Sequence, residues 1–336
     1  MELTITAPNR IDLAGGTTDL YPLYIFMGGG YTVNAAISVS SRVILKKRDI
    51  PGFRIVSEDL GFCTDAGSLS ELFANGPLAL VSEAVRTFPP PYSLEILTRN
   101  EAPAGSGLGA SSSLLVALVS GLLNLHSSQE STESIVSLAV NTETAVIGVP
   151  AGSQDHIAAL YGGISCIRFD HRGFQREPMR NEQELARKLE KMIVLSYTGL
   201  GRFSGMNNWE VTKNYIDNVG QTREKLLAIR DIAVELGNAL SEQNLDAVAP
   251  LVQKEWNVRR TLAPGISTPE IEALMQASLS AGAQANKICG AGGGGCMVTL
   301  CPPNKKTAVE NAIAAAGGKI MPFRIDTIGT SLTATR

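Results

Sequence analysis

Aromatic residues are scarce in this 336-residue chain, at 5%, so its interior must be built mainly from aliphatic side chains. A basic surplus is missing too: 29 Lys and Arg face 32 Asp and Glu, a formal charge of −3. Nucleic-acid binders usually carry such a surplus or a basic stripe. The balance argues against that class and leaves room for a local basic pocket. The chain opens MELTITAPNR, already strand-like, with no basic segment leading into an apolar one, so no secretory signal is expected. The longest mainly apolar run, Leu114–Leu125, is too short to cross a bilayer, and no membrane partner is expected. Five cysteines match no zinc or redox spacing. Cys289, Cys296 and Cys301 cluster without a nearby histidine and read as reduced thiols in or beside a strand. These absences point to a cytoplasmic protein.

What remains is ordinary for a globular enzyme: 44% hydrophobic and 18% charged residues, in a chain long enough for two packed lobes. Leu3–Ala7 alternates like a strand and ends at Pro8. Further strands are expected at 31–37, 42–47, 53–56 and 92–98. Helices are expected at 77–88, stopped by Pro89-Pro90-Pro91, at 111–125, and at 131–147, with Ser131 and Ser134 as candidate caps. Strands at 162–169 and 192–197 flank a polar stretch where the domain boundary is placed, dividing the chain into 1–180 and 181–336. Residues 205–281 read as helical. A strand, a glycine loop, a strand, a helix and a last strand near 321–327 follow. The fold class is α+β in two lobes.

Chemistry concentrates in a few segments. Pro103-Ala104-Gly105-Ser106-Gly107-Leu108-Gly109-Ala110-Ser111-Ser112-Ser113 lies between a strand and a helix. Its glycines let backbone approach a ligand, the helix start presents free amides and a positive dipole end, and its hydroxyls suit a phosphate oxygen or hydrated magnesium. That combination describes a phosphate cradle, though not a Walker A loop, because no Lys-Ser or Lys-Thr pair closes it. A serine-capped structural turn is one competing reading. A dinucleotide loop is another, since Gly105, Gly107 and Ala110 satisfy G-x-G-x-x-A; Pro103 and the helix-then-helix order weigh against it.

The run Gly290-Ala291-Gly292-Gly293-Gly294-Gly295 joins strand to strand. Five glycines are costly in chain entropy and exceed the needs of a hairpin, so something is expected to approach this backbone from outside. Near the start, Ala7–Asp19 places Arg10 and Asp19 on one loop, where an ionised carboxylate could accept two sugar hydroxyls. Glu143 on a helix and Asp155 beyond the Gly148–Ser153 turn are acids of the kind phosphoryl transfer requires; taken alone, each reads more readily as a solvated surface acid. His156 reads as structural.

Taken in order, A-P-N-R…G-G-T-T-D, P-A-G-S-G-L-G-A-S-S, G-V-P-A-G-S-Q-D and K-I-C-G-A-G-G-G-G-C resemble the motifs of the GHMP kinases across nearly the whole chain. The resemblance implies a two-lobed fold, an N-terminal ATP-binding lobe with a left-handed βαβ crossover and a ferredoxin-like C-terminal lobe. It implies ATP and Mg2+ as cofactors and a sugar or sugar phosphate as small-molecule partner, and it leaves room for a homodimer. Residue by residue, it makes Asp155 the catalytic acid supported by Arg10. Ser111 and Glu143 become magnesium ligands, and Pro103, Gly105, Ser106, Gly107, Leu108, Gly109, Ala110, Ser111 and Ser112 the nucleotide loop. Asp19, Gly16, Thr17, Arg202, Gly292, Gly293 and Gly294 fall on the substrate side. Gly16-Thr17 stands where galactokinases carry Glu-His, which argues against galactose. Ser196-Tyr197-Thr198-Gly199 with Arg202, and Gly265-Ile266-Ser267, are similar to D-glycero-D-manno-heptose 7-phosphate kinases, which implies transfer to an anomeric hydroxyl. Ala110, where many relatives have Ser, and Cys296, where an aromatic is usual, leave the sugar open. A remote phosphate would need a cation, with Arg202 first and Lys287 second.

Overall fold

The computed structural model describes residues 2–335 apart from 74, 127–129, 200 and 202–204; the side chains of 205–207 are likewise not described. Its strands are β1 (Glu2–Ala14), β2 (Gly30–Lys47), β3 (Phe53–Ser57), β4 (Phe62–Ala66), β5 (Leu94–Asn100), β6 (Ile164–Asp170), β7 (Gly173–Glu177), β8 (Ile193–Tyr197), β9 (Ala285–Ile288), β10 (Cys296–Leu300), β11 (Lys319–Ile320) and β12 (Ser331–Thr335). One sheet runs β12-β1-β2-β5-β3-β4, with β6 on the other half of β2 and β7 beside β6; the second runs β11-β8-β10-β9. Among these pairs only β3–β5 is parallel, so the dinucleotide-fold reading of the glycine loop after β5 falls: that fold needs a parallel sheet.

β1 is longer than its sequence suggests. Its first half alternates buried and half-buried residues, whereas every residue from Ala7 to Ala14 is buried. Helices Gln154–Tyr161 and Thr222–Ser241 pack on this stretch and on β2, and the period-2 signal vanishes where no face meets water. Pro8 does not end the strand. The pairing with β2 shifts register between Pro8 and Asn9 and again between Asp12 and Ala14, and β12 covers only Glu2–Thr6, so the missing N–H falls where no ladder partner is left waiting. Arg10 therefore stands on a strand, and Asp19 on the turn that follows.

The helix Ala110–Leu125 is apolar nearly all round, with Leu115 to Val119 wholly buried, as befits a core helix. It lies between the first sheet and helices Ala79–Thr87 and Thr132–Ile147. The last of these begins as expected: the Ser131 hydroxyl accepts the Ser134 amide at 3.1 Å. Strands β4 and β7 were not expected from the sequence. The final strand is not at 321–327, where only Ile325 bridges to Ile37, but at β12. The chain end thus returns to the first sheet, and a single cut near 180 does not separate the two sheets.

The glycine run between β9 and β10 is approached by the protein's own backbone. Cys296 N donates to Ser106 O at 2.6 Å and Gly293 N to Ile266 O at 2.7 Å. A Cβ on Gly295 would lie 2.5 Å from Ser106 O, and one on Gly107 2.5 Å from Cys289 O. The two glycine segments are each other's close neighbours. Gly295→Ala places a side chain at φ +87 against backbone that cannot easily give. The backbone conformation alone should cost about 1–3 kcal/mol, read as a lower urea midpoint at unchanged slope.

Candidate active site

A cavity of about 470 Å³ collects residues from seven separate segments, within the usual size of a small-molecule site. One wall is the loop from β5 into the helix Ala110–Leu125: Pro103, Gly105, Ser106, Gly107, Gly109, Ala110, Ser111 and Ser112 all line it. Gly105, Gly107 and Gly109 have φ of 69°, 71° and 74°, conformations that glycine adopts without penalty. Leu108 departs from the expectation: it is wholly buried, and its contribution is a carbonyl that accepts the Arg10 amide at 3.0 Å.

Arg10 holds this wall to Asp155. Its Nε and Nη2 donate to the two carboxylate oxygens at 2.7 and 2.8 Å, and Nη1 donates to Gly107 O at 2.6 Å. Such a fork fixes both distance and plane. Burial raises the Asp155 pKa above the ordinary value against the opposing pull of Arg10. Burial works against the Arg10 charge as well, but Asp155 and Asp12 outweigh it and its pKa is raised. Asp155 also touches the glycine wall, since a Cβ on Gly109 would meet its carboxylate at 2.8 Å. The acid that the sequence places beyond a turn thus sits on the first turn of the helix Gln154–Tyr161, pressed against the phosphate-loop backbone.

Glu143 reaches the same wall from the helix Thr132–Ile147. Ser111 Oγ donates to one of its oxygens at 2.5 Å and Ser112 Oγ to the other at 2.8 Å. His156 Nε2 lies 3.0 Å away, fully buried. Burial would raise the Glu143 pKa, but His156 and the two hydroxyls outweigh it and hold the carboxyl below its ordinary range. Ser111 and Glu143 are hard oxygen donors of the kind magnesium accepts. Among the described residues no three His, Cys, Asp or Glu side chains gather as a metal site. The pair therefore fits an ion that draws its other ligands from phosphate and water. His156, read from the sequence as structural, is buried behind Glu143 and does not line the cavity.

Gly16, Thr17 and Asp19 line the cavity too. Asp19 Oδ2 accepts the Gln154 amide at 3.0 Å, so it also seats the helix that carries Asp155. Burial pushes its carboxyl up to about 6. Gly292, Gly293 and Gly294 do not line the cavity; of that run only Gly290 and Ala291 do, because the rest packs on Ile266 and the phosphate loop. Lys287 is corrected as well: it is fully buried, with Nζ 2.9 Å from Glu255 and 3.3 Å from Asp12. Arg202 lies outside the described residues. An apolar wall of Leu78, Leu80, Val81, Leu114, Val146 and Ile147 carried no sequence signal, being ordinary aliphatic residues from separate helices and turns.

Comparison with known proteins identifies the family. The GHMP kinases N terminal domain matches residues 78–163 and the GHMP kinases C terminal domain residues 232–319, together just over half of the chain. A D-glycero-alpha-D-manno-heptose 7-phosphate kinase of Campylobacter jejuni is 28% identical over 324 residues, covering 94% of each chain. A bifunctional fucokinase/GDP-fucose pyrophosphorylase of Arabidopsis thaliana is 28% identical over 322 residues, 90% of this chain but 30% of that one. The crystal structure of a D-glycero-D-manno-heptose 1-phosphate kinase from Bacteroides thetaiotaomicron superposes with a TM-score of 0.81 at 24% identity, over 99% of both chains, and at that identity speaks for the fold. With both family models matched over more than half of its length, the protein belongs to the GHMP kinases, which are ATP-dependent kinases of small molecules.

Proposed function

We propose that this kinase phosphorylates a sugar hydroxyl, and that the anomeric hydroxyl of D-glycero-D-manno-heptose 7-phosphate is its acceptor. The observation that carries the reading is the meeting of Asp155, Arg10, Ser111 and Glu143 on one glycine wall. Residues 105–112 would hold the ATP phosphates, and the apolar wall of Leu78, Val81, Leu114 and Ile147 would take the base. Residues 1–180 supply nearly all of this lining, which suits their assignment as the nucleotide-binding part, with 181–336 as the C-terminal domain. A magnesium ion held by Ser111 and Glu143 would neutralise phosphate charge. Asp155 would take the hydroxyl proton as the oxygen bonds to phosphorus. Arg10 fixes Asp155 in plane and neutralises part of the charge that builds beside it. Asp19 would accept sugar hydroxyls, with Gly16 and Thr17 beside it.

The heptose assignment rests on the Campylobacter relative's name and on the motif resemblance. Lys287 is already engaged, so the seat for the remote phosphate is assigned to Arg202. A neutral sugar of the fucose or arabinose type is the second reading. It is favoured by one observation: among the described lining residues Arg10 is the sole basic side chain, and Asp155 occupies it.

An ATP-consumption screen over heptose 7-phosphate, L-fucose, arabinose and hexoses, with phosphorus NMR of the product, decides between them. Turnover of heptose 7-phosphate alone, with a phosphorus signal at the anomeric position, is the expected result. Asp155→Asn should lower kcat by about 10²–10⁴-fold while MgATP still binds by titration calorimetry; retained turnover removes Asp155 from this role. The pH response of Asp19 has a definite sign. Its folded pKa of about 6 stands above the ordinary 3.8. The proton it retains therefore stabilises the fold fully below 3.8, and that contribution is gone once pH rises through 6. Sugar binding through the ionised carboxylate runs the other way, so KM for the sugar should climb as pH falls below about 6. Asp19→Asn should abolish that limb in a KM–pH profile.

A further inference from the structure

Behind the sugar end of the cavity lie four buried charges that do not line it: Asp12 on β1, Glu255 and Arg259 one turn apart on the helix Val248–Arg259, and Lys287 on β9. None is more than 2% exposed. Lys287 Nζ lies 2.9 Å from Glu255 Oε2 and 3.3 Å from Asp12 Oδ2, and Arg259 Nε donates to Glu255 Oε1 at 2.8 Å. The group is balanced, two of each sign. Its outward end is specific. Arg259 Nη2 donates to Gly16 O at 2.6 Å, Nη1 lies 3.4 Å from Thr17 Oγ1, and Glu255 Oε1 accepts the Gly15 amide at 3.3 Å.

These contacts land on the turn whose Gly16, Thr17 and Asp19 line the cavity. Thr17 has φ +77, the left-handed region that a β-branched residue rarely enters, so its neighbours must over-determine it. Local bonds do part of this: Thr18 Oγ1 donates to Gly15 O at 2.7 Å and accepts the Tyr31 amide at 3.1 Å. They leave the Gly16 carbonyl and the Thr17 hydroxyl to be held from across the chain. A buried ionic group is an inefficient way to stabilise a fold, since apolar residues of similar volume often do as well or better. It is an effective way to fix direction, and arginine's planar fork reaches several acceptors at once, as lysine cannot.

We propose that Arg259 is a positioning residue for the acceptor: from the C-terminal half of the chain it fixes Gly16 and Thr17, and so sets where the sugar sits relative to Asp155. This rests on the reading that the Gly16–Asp19 end takes the hydroxyl substrate. It predicts selective damage, because among the described residues Arg259 bonds to Glu255, Gly16 and Thr17 and not to the wall at 105–112.

Two variants test it. Arg259→Lys keeps the charge and loses the fork. The pair Glu255→Gln with Arg259→Met removes one charge of each sign and leaves Lys287 and Asp12 balanced. For whichever sugar the wild-type enzyme phosphorylates, either variant should raise its KM about tenfold or more, with KM for ATP within about twofold. Amide hydrogen exchange, which needs no substrate, should accelerate in residues 13–20 and stay unchanged in 104–112. Equal changes in both KM values, no change in either, or unaltered exchange in 13–20 would overturn the proposal. So would failure of both variants to fold, which would make Arg259 a support of the whole structure. If no sugar is a substrate at all, the acceptor reading falls, while the exchange comparison still decides what Arg259 holds.

Discussion

The arrangement depends on one guanidinium. Arg10 spends two of its nitrogens on Asp155 and a third on the Gly107 carbonyl, and its own amide bonds to Leu108. A strand, a loop and a short helix are thereby locked into one geometry by a single buried side chain. Burial makes this expensive for both partners and leaves neither an alternative, because an unpaired charge in that setting costs several kcal/mol. A fork with three hydrogen bonds has little freedom to drift, and phosphoryl transfer depends chiefly on such positioning.

The paired glycine runs set the second constraint. Each permits the other: Gly107 admits the carbonyl of Cys289, and Gly295 admits that of Ser106. The glycine wall after β5 is therefore braced from behind by the second sheet. The entropy lost in ordering so many glycines is offset by backbone contacts closer than any side chain would allow. Glycine here marks protein meeting protein as much as protein meeting ligand.

The sequence disclosed these features unevenly. The glycine wall was legible as a cavity lining because its signal is local: glycines, hydroxyls and a helix start within eleven residues. Glu143 and Asp155 were legible only through the order of motifs, since an acid on a helix looks the same whether it faces solvent or a cavity. β1 was read too short because alternation fails once both faces are covered, and the last strand was misplaced because β12 is exposed along its whole length and carries no burial pattern. The glycine run at 290–295 was read as meeting a ligand because composition reports how close something comes, not what it is. Arg259 gave no signal at all: its partners Gly16 and Thr17 lie more than 240 residues away, and such contacts belong to topology.

The pairing of Glu2 with Thr335 brings together residues more than 330 positions apart. During synthesis from the N-terminus, β1 must wait for nearly every other residue before its outer neighbour exists, and an unpaired edge is open to wrong partners meanwhile. Closure of the first sheet is thus tied to synthesis of residues 331–335, and a ribosome-bound fragment ending before Ser331 would carry that sheet with one border still unsealed.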